Sequence, residues 1–371
     1  MKKITKKILP CGAYEALKYN PIRSYKKAKA WSGDNSEYYR NAVKTGQRIF
    51  LLNTPWHKNL GDLAIAEAEA AFIKRIMSYK EPVVEVAALS RSIYALSVLK
   101  KIIPENATLL FHGGGYLGND WPIEEEAFRR TVKLFDKNRI ILMPQSVFFS
   151  GDARGEAALL RSINALSRHN DLHLFARETI SYNLMKQYYS KANIYLAPDM
   201  VLSMEYTFTE AKRAGVLMCM RADREKSLTD NDTGYIEKIS SKYGQVEYTD
   251  TFAPDEYVGP INAHTRGPLV NAKLKQFGKA RLVVTDRLHG MVFAAITGTP
   301  CIAFSNHNHK IKGTAEWIND LNYVRYLEDV DRYEEAADMV VAHGPGRFCN
   351  SSLLPHYDTL SKLITYSQDI S

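Results

Sequence analysis

Residues 281–306, RLVVTDRLHGMVFAAITGTPCIAFSN, decide the fold class. Two short β-branched and aliphatic runs flank a longer apolar one, which predicts a buried strand, a helix and a second buried strand. Units of this kind build parallel α/β sheets. Arg287 and His289 stand out, because they place two cations where the helix begins.

The positive end of a helix dipole disfavours a cation by about 0.3–1 kcal/mol, so two cations at this position indicate an anionic ligand. The alternative is structural. In that case Arg287 is bonded to Asp286, and His289 is satisfied within an interface.

The same alternation of strands and amphipathic segments extends from residue 47 to the end of the chain. It restarts after the segment APDMVLSMEYTFTEAKR, which predicts two doubly wound Rossmann-like α/β domains facing a central cleft. We expect a basic N-terminal arm over 1–46, a first domain over 47–205 and a second over 206–371. The C-terminal helix is expected to pack back on the first domain.

Composition narrows the class of protein. With 371 residues, 45% of them hydrophobic and 24% charged, the chain is globular and long enough for two domains. The net charge of +8 implies a surface that meets phosphates, acidic lipids or nucleic acid. Four scattered cysteines fit a reducing cytoplasm better than a disulfide framework. His307 and His309 form a pair without an identifiable third ligand, so no metal is predicted.

The N-terminal arm is basic but has no apolar run of roughly 7 to 15 residues, so we expect it to be retained rather than cleaved as a signal peptide. No stretch reaches the roughly 18 to 20 apolar residues of a membrane span. Residues 1–45 hold eleven Lys and Arg against three acidic residues. The arm therefore either lies on anionic lipid headgroups or packs as a solvated arm on its own domain.

The residues that follow the predicted strands should face the cleft, where the carboxyl ends of parallel strands meet. These positions are rich in Arg, Lys, His and Gly. Phosphoenolpyruvate, with a carboxylate and a phosphate on three carbons, fits such a set better than a nucleotide sugar, since arginine binds both groups bidentately. The cations are Arg177, Arg221, Arg287, His289 and Lys310.

The stretch HGGGYLG satisfies G-x-G-x-x-G through Gly113, Gly115 and Gly118. A dinucleotide site also needs an acidic residue at the end of the next strand, but that strand ends in Gln145 and Asp136 precedes it. The sequence therefore does not favour a nicotinamide or flavin site. The glycines either let the backbone approach an anion and present N–H groups to it, or form only a tight turn.

Asp62 lies near the start of a helix that follows the first strand. An aspartate there is commonly an N-cap. Alternatively, Asp62 faces the cleft and accepts a proton from a sugar hydroxyl. His57 and Trp56 in the same loop are candidates to stack against a sugar or to line the pocket.

Taken in order and spacing, a series of motifs resembles the bacterial polysaccharide pyruvyl transferases over most of residues 47–320. The resemblance implies a glycosyltransferase-B-like fold and transfer of pyruvate from phosphoenolpyruvate to two hydroxyls of a sugar, giving a cyclic ketal. The expected acceptor is a lipid-linked sugar of a surface polysaccharide precursor. The resemblance implies neither a metal nor a cofactor. TPWHK replaces the family's usual Gly-rich lead into the first motif, and the first 45 residues have no counterpart. The motifs are NLGDLAI, HGGGYLG, PQS, FARETISYNL, APDMVL, MCMRAD, TDRLHGMVFAAITGTPCIAF and HKIKG.

The resemblance also implies roles for residues. His289 donates a proton to the donor methylene or binds phosphate, Arg287 and Arg177 hold the carboxylate and phosphate, and Asp62 is the base for the attacking hydroxyl. Arg221 and Lys310 are further donor ligands. The remaining substrate-binding candidates are Leu288, Gly113, Gly114, Gly115, Asn59 and Asp120, the last of which is also the second choice of base.

Two other functions remain open. A nucleotide-sugar glycosyltransferase of the same build needs an acidic residue gripping ribose in the second domain, where Glu316 is the nearest and lies some distance along the chain. A noncatalytic cell-surface-assembly or nucleic-acid-binding protein is the other. The basic residues cluster at strand ends rather than on one face with aromatics, which disfavours a nucleic-acid partner. We expect a cytoplasmic protein, peripheral at the inner face of the plasma membrane.

Overall fold

The computed structural model describes residues 36–78, 83–87, 93–208, 212–221, 227–306 and 308–365. Most of the basic N-terminal arm, and with it the membrane-binding hypothesis, lies outside the described residues. The described strands are β1 (Ile49–Thr54), β2 (Val84–Ala87), β3 (Thr108–Phe111), β4 (Gly114–Gly118), β5 (Arg139–Phe148), β6 (Leu172–Ala176), β7 (Asn193–Leu196), β8 (Val216–Cys219), β9 (Val246–Thr249), β10 (Leu282–Thr285), β11 (Cys301–Phe304) and β12 (Val324–Leu327).

Helices separate most of these strands. None of the helices in the described ranges is both long and apolar enough to cross a membrane. They are α1 (36–44), α2 (Leu60–Ile76), α3 (Ile93–Leu99), α4 (Pro122–Leu134), α5 (Ala153–Leu166), α6 (Thr179–Tyr188), α7 (Asp230–Ser240), α8 (Arg266–Lys279), α9 (Leu288–Ile296), α10 (Lys310–Ala315), α11 (Tyr333–His343) and α12 (Asp358–Thr365).

The strands form two parallel sheets. The first has the order β2-β1-β3-β5-β6-β7 with β4 paired to β5, and the second has the order β12-β11-β10-β8-β9. In both sheets the order reverses next to the first strand, between β1 and β3 and between β8 and β10. Doubly wound sheets bind their ligands at the carboxyl ends of strands at this switch point. The predicted fold class, two doubly wound Rossmann-like domains, is confirmed.

The strands are those that the apolar runs predict, with one addition. The segment Gly114–Gly118, predicted as a loop or a strand-to-helix turn, is the short strand β4. The sequence does not predict this strand, because glycine is depleted in strands. Gly118 has φ of 158°, and a Cβ there would lie 1.8 Å from the carbonyl oxygen of Phe148 on β5. Glycine at this position therefore serves strand pairing.

The two sheets share a hydrophobic core. One cluster of buried residues joins α2 from the first domain to α8 and α9 from the second. Arg266, 2% exposed, reaches from α8 to the carboxylates of Glu67 and Glu85 in the first domain. The cleft is thus built on a continuous core.

The C-terminal segment crosses from the second sheet to the first domain. Helix α12 packs against α2, and the guanidinium of Arg139 donates to the carbonyl of Leu363 at 3.3 Å. The ring of Tyr357 lies 5.8 Å from that of Phe72. Its hydroxyl donates to the backbone carbonyl of Asp199 at 2.9 Å, so this segment supports a buried acidic residue of the cleft.

Candidate active site

A cavity of about 390 Å³ lies between the two sheets, at both switch points. Residues that follow β1 and β3 meet residues that follow β8 and β10 there. The lining residues used below are Trp56, His57, Asn59, Asp62, His112, Gly113, Gly115, Trp121, Glu124, Arg177, Arg221, Phe252, Arg287, Leu288, His289, Asn306 and Lys310.

Arg177 is fixed by a buried network. It follows β6, is 3% exposed, and donates to the hydroxyl of Ser146 and to Oδ2 of Asp199, both at 2.8 Å. Asp199 is 1% exposed and also accepts from the amide of Val201 at 3.0 Å. Burial alone would raise the pKa of Asp199, but His289 and Arg177 outweigh it and hold that pKa well below the usual range. Asp199 therefore remains a carboxylate.

His289 lies in the first turn of α9, on the opposite side of that carboxylate. Its Nε2 is 3.6 Å from Oδ2 of Asp199 and is buried, without a hydrogen-bond partner in the described ranges. The other side of the ring packs on the first turn of α2, where a Cβ at Gly61 would lie 2.3 Å from Nδ1. Glycine at 61 is therefore required for the ring to fit. One imidazole is held between a buried carboxylate and the start of a helix.

Arg287 is the N-cap residue of α9 and makes no capping bond with its side chain. Its guanidinium donates to Oδ2 of Asp250 at 2.6 Å and lies 5.7 Å from the ring centroid of Phe252. The structural alternative, a bond to Asp286, is wrong in its choice of partner. Asp286 instead accepts from the amide of Arg221 at 2.7 Å, and burial raises its pKa.

Lys310 enters the cavity from the start of α10 and is 7% exposed. Its amide donates to Oδ1 of Asn308 at 3.2 Å, which fixes the backbone of that turn. Gly115 on β4 shows how near the cations lie to one another: a Cβ there would be 3.1 Å from Nη2 of Arg177 and 3.4 Å from Nζ of Lys310. Absence of a side chain at 115 leaves room for both cations.

Asp62 is not the N-cap of α2. Asn59 is the N-cap, since its Oδ1 accepts from the amide of Gly61 at 3.0 Å. The capping interpretation of Asp62 is therefore wrong. Asp62 lies three residues after the cap, still in the first turn, with its side chain 29% exposed and Oδ2 3.7 Å from Nε2 of His57. Its carboxylate is available to the cavity.

The two domains are bridged where the cavity opens. Asn59 and Phe252 form an antiparallel bridge, and the amide of Leu60 donates to the carbonyl of Thr251 at 2.7 Å. Aromatic side chains surround this opening, with Phe252 45% exposed and Trp121 46% exposed. An apolar rim thus borders a charged interior.

Most of the predicted site residues are brought together. Those in the lining are Asp62, Arg177, Arg221, Arg287, Leu288, His289, Lys310, Asn59, Gly113 and Gly115. Gly114 and Asp120 do not belong to the lining. The amide of Gly113 donates to Oε1 of Glu69 at 2.8 Å, so it is not available to an anion.

Sequence reasoning missed the partners of the predicted residues. Asp199 follows β7 within the motif APDMVL, and this position after a strand could have identified it as a candidate site residue. Asp250 directly follows β9 and offered the same signal, whereas Glu69 gave none, since it lies within a helix and pairs with a residue far along the chain. Among the described residues, no group of three or more His, Cys, Asp and Glu side chains is arranged to hold a metal ion.

The fold and the cavity define a two-domain α/β protein with a cation-rich cleft. A family model for polysaccharide pyruvyl transferases matches residues 59–308. General stress protein 30 of Bacillus subtilis is 33% identical over 302 residues, which cover 81% of this chain and 87% of that protein. Pyruvyl transferase 1 of Schizosaccharomyces pombe is 27% identical over 285 residues, covering 72% and 69%.

Among solved structures, an uncharacterized protein of Klebsiella pneumoniae superposes with a TM-score of 0.49 at 18% identity, covering 80% of this chain and 99% of that one. The family match spans more than half of the chain. The chain belongs to the polysaccharide pyruvyl transferase family, which confirms the resemblance seen in its motifs.

Proposed function

We propose that the protein transfers pyruvate from phosphoenolpyruvate to two hydroxyls of a saccharide in a surface polysaccharide precursor, forming a cyclic ketal and releasing phosphate. One observation carries the proposal. Four Arg and Lys side chains and the imidazole of His289, drawn from both domains, line a single cavity; the four are Arg177, Arg221, Arg287 and Lys310. A donor with two anionic groups on three carbons matches that density of charge.

The donor is assigned to the side of the cavity formed by α9 and β4. Arg177 is a rigid ligand because Ser146 and Asp199 fix its guanidinium. Arg287 approaches from the second domain, and the backbone of α9 adds the helix N-terminus to the anion site. His289, held over Asp199, is assigned the proton transfer to the donor methylene, which creates an oxocarbenium-like centre at the middle carbon.

The acceptor is assigned to the side formed by α2 and the aromatic rim. Asp62 is the base for the first attacking hydroxyl, since it lines the cavity and does not cap the helix. Trp56 and Trp121 line the same side and offer flat apolar faces to a pyranose ring.

The nucleotide-sugar alternative requires a carboxylate from the second domain for the ribose. Among the described lining residues, both carboxylates, Asp62 and Glu124, come from the first domain. Glu316 is outside the lining and accepts from the hydroxyl of Thr179 at 3.4 Å. The second domain contributes cations and neutral groups instead, which supports phosphoenolpyruvate over a nucleotide sugar.

The reaction needs neither a metal nor a cofactor, because the cations can balance the charge of the donor and the acid and base groups can move the protons. We assign the protein to the cytoplasm, with the basic arm holding it at the anionic inner face of the plasma membrane and with a lipid-linked acceptor. Nucleic acid is not a proposed partner.

The test is phosphate release from phosphoenolpyruvate with a panel of free and lipid-linked saccharides, with NMR detection of the ketal methyl group. Release that depends on a saccharide supports the function, and its absence with every member of the panel refutes it. Arg287→Ala should weaken phosphoenolpyruvate binding in calorimetry. Arg130→Ala is the matched control, because Arg130 is outside the cavity and pairs with Glu126 on its own helix.

A further inference from the structure

A second carboxylate–imidazole pair lies beneath the cavity, and the mechanism above does not use it. Glu69, in the middle of α2, is fully buried, and His112, directly after β3, is 4% exposed. Nδ1 of His112 lies 2.7 Å from Oε2 of Glu69, and the amide of Gly113 donates to Oε1 at 2.8 Å. Both oxygens of one carboxylate therefore fix the same short segment, including the plane of the imidazole ring.

The fixed ring presents its other edge to the cavity. His112 lines the cavity, and Nε2 is the ring nitrogen turned away from Glu69. Within the described ranges, Nε2 makes no hydrogen bond to a protein group, and this atom is not among the fully buried atoms that have no partner. Nε2, which does not bond to Glu69, is thus the ring nitrogen that a bound substrate can contact.

The charges around the ring favour its protonated form. Burial by itself lowers the pKa of His112, but the carboxylate of Glu69 outweighs burial and raises it, with a smaller contribution from Asp62 and an opposing one from Arg266. An imidazolium with one N–H held by a buried carboxylate presents its second N–H to the cavity. This is the arrangement of a general acid.

Another carboxylate–imidazole pair in the chain has no ring nitrogen available to a ligand. His173 and Asp171 form a carboxylate–imidazole pair at 2.7 Å, near the amino end of β6. Its other ring nitrogen lies 3.2 Å from the hydroxyl of Tyr195, and the residue is outside the cavity lining. Of these two pairs, only the one with Glu69 opens toward a ligand.

We propose that His112 is a further catalytic residue, and that Glu69 is its positioning residue. Nε2–H donates a proton to the bridging phosphate oxygen as the bond between that oxygen and the donor's middle carbon breaks, and the leaving phosphate takes the electron pair. The second acceptor hydroxyl forms the new carbon–oxygen bond and gives its proton to Nε2. In the earlier step, His289 gives one proton to the methylene carbon, and Asp62 takes the proton of the first hydroxyl. Over the whole reaction, the two acceptor hydroxyls lose two protons. The methyl group gains one proton and the phosphate gains the other.

This inference rests on the proposed function. The test measures turnover of phosphoenolpyruvate with the acceptor that the parent uses, for His112→Gln and for the control His173→Gln. We expect kcat to fall about 10²- to 10⁴-fold in His112→Gln, with the dissociation constant of phosphoenolpyruvate changed less than about threefold. The control should retain the parent kcat. Parent-like turnover in a folded His112→Gln protein would refute the role of His112.

Glu69→Gln supplies a second test, since a purely structural role of the pair predicts no change in the pH dependence of kcat. Removing the negative charge lowers the pKa of His112, so the decline of kcat at high pH should begin at a lower pH than in the parent, while Asp62 and Arg266 remain in place. An unchanged profile overturns the inference, and so does failure of His112→Gln to lose turnover. If the parent releases no phosphate with any acceptor, the proposed function falls, and this inference falls with it.

Discussion

Replacing Asp199 by asparagine tests whether the buried charges of the cleft are as interdependent as their geometry indicates. The carboxylate accepts from Arg177 at 2.8 Å and from the amide of Val201 at 3.0 Å, and Nε2 of His289 lies 3.6 Å away. Asparagine keeps the shape and one acceptor oxygen but removes the charge. Arg177, which is 3% exposed, then loses its buried counter-ion.

Breaking a buried ion pair by removing one partner typically costs 3–5 kcal/mol. Because the amide oxygen can still accept one of the original hydrogen bonds, we expect the lower end, about 3 kcal/mol, and a melting temperature lowered by about 4 °C. The pKa of Asp199 is lowered by folding, so its contribution is present above the ordinary carboxyl pKa of about 3.9 and is lost as pH falls below it. Parent and variant should therefore converge in acid.

Asp250→Asn is the matched control. Asp250 also pairs with a buried arginine, Arg287, but its side chain is 40% exposed and water can replace the carboxylate. We expect a loss below about 1 kcal/mol. Urea denaturation of both variants from pH 8 down to about pH 2, below the ordinary carboxyl pKa, gives the comparison. Equal losses in the two variants, or a difference from the parent that does not change with pH, would show that burial does not set the strength of these pairs.

Three other predictions concern separate parts of the molecule. Asp62→Asn should change stability by less than about 1 kcal/mol, because Asn59 is the cap, and should lower turnover about 10²- to 10⁴-fold; parent-like turnover would remove Asp62 as the base. Folding raises the pKa of His112, so the stability that this residue contributes should be complete below about pH 6.5 and be lost as pH rises through the pKa of the folded protein. In denaturation curves, Glu69→Gln should lack this loss of stability with rising pH. Deleting residues 1–20 should reduce cosedimentation with anionic liposomes at low salt, and equal binding by both proteins would contradict a membrane role for the arm.

The sequence predicts the cleft well because one geometric rule governs it. Arg177, Arg287 and Lys310 follow three different strands, and the carboxyl ends of parallel strands in a doubly wound sheet face the same crevice. Their convergence needs no knowledge of long-range contacts. The rule specifies the edge of the sheet at which a side chain lies, but it does not specify which groups pair there.

Pairing is where sequence reasoning fails. Asn59 and Asp62 are both good capping residues three positions apart, and the structure uses Asn59. The partner of Arg287 is Asp250 rather than the adjacent Asp286, whose Oδ1 accepts from the backbone amide of Arg221. Neither choice is encoded in local propensity.

The carboxylates paired with the donor cations divide those cations into two kinds. Asp199 is buried and tied to the backbone, so it holds Arg177 in one place whether or not an anion is bound. Asp250 is 40% exposed at its side chain, so it can leave Arg287 and return to water when a donor anion arrives. A buried pair positions a group, whereas an exposed pair is weak enough to exchange. In the proposed donor site, Arg177 is then the fixed ligand, and Arg287 is the one that we expect to change partners when an anion binds.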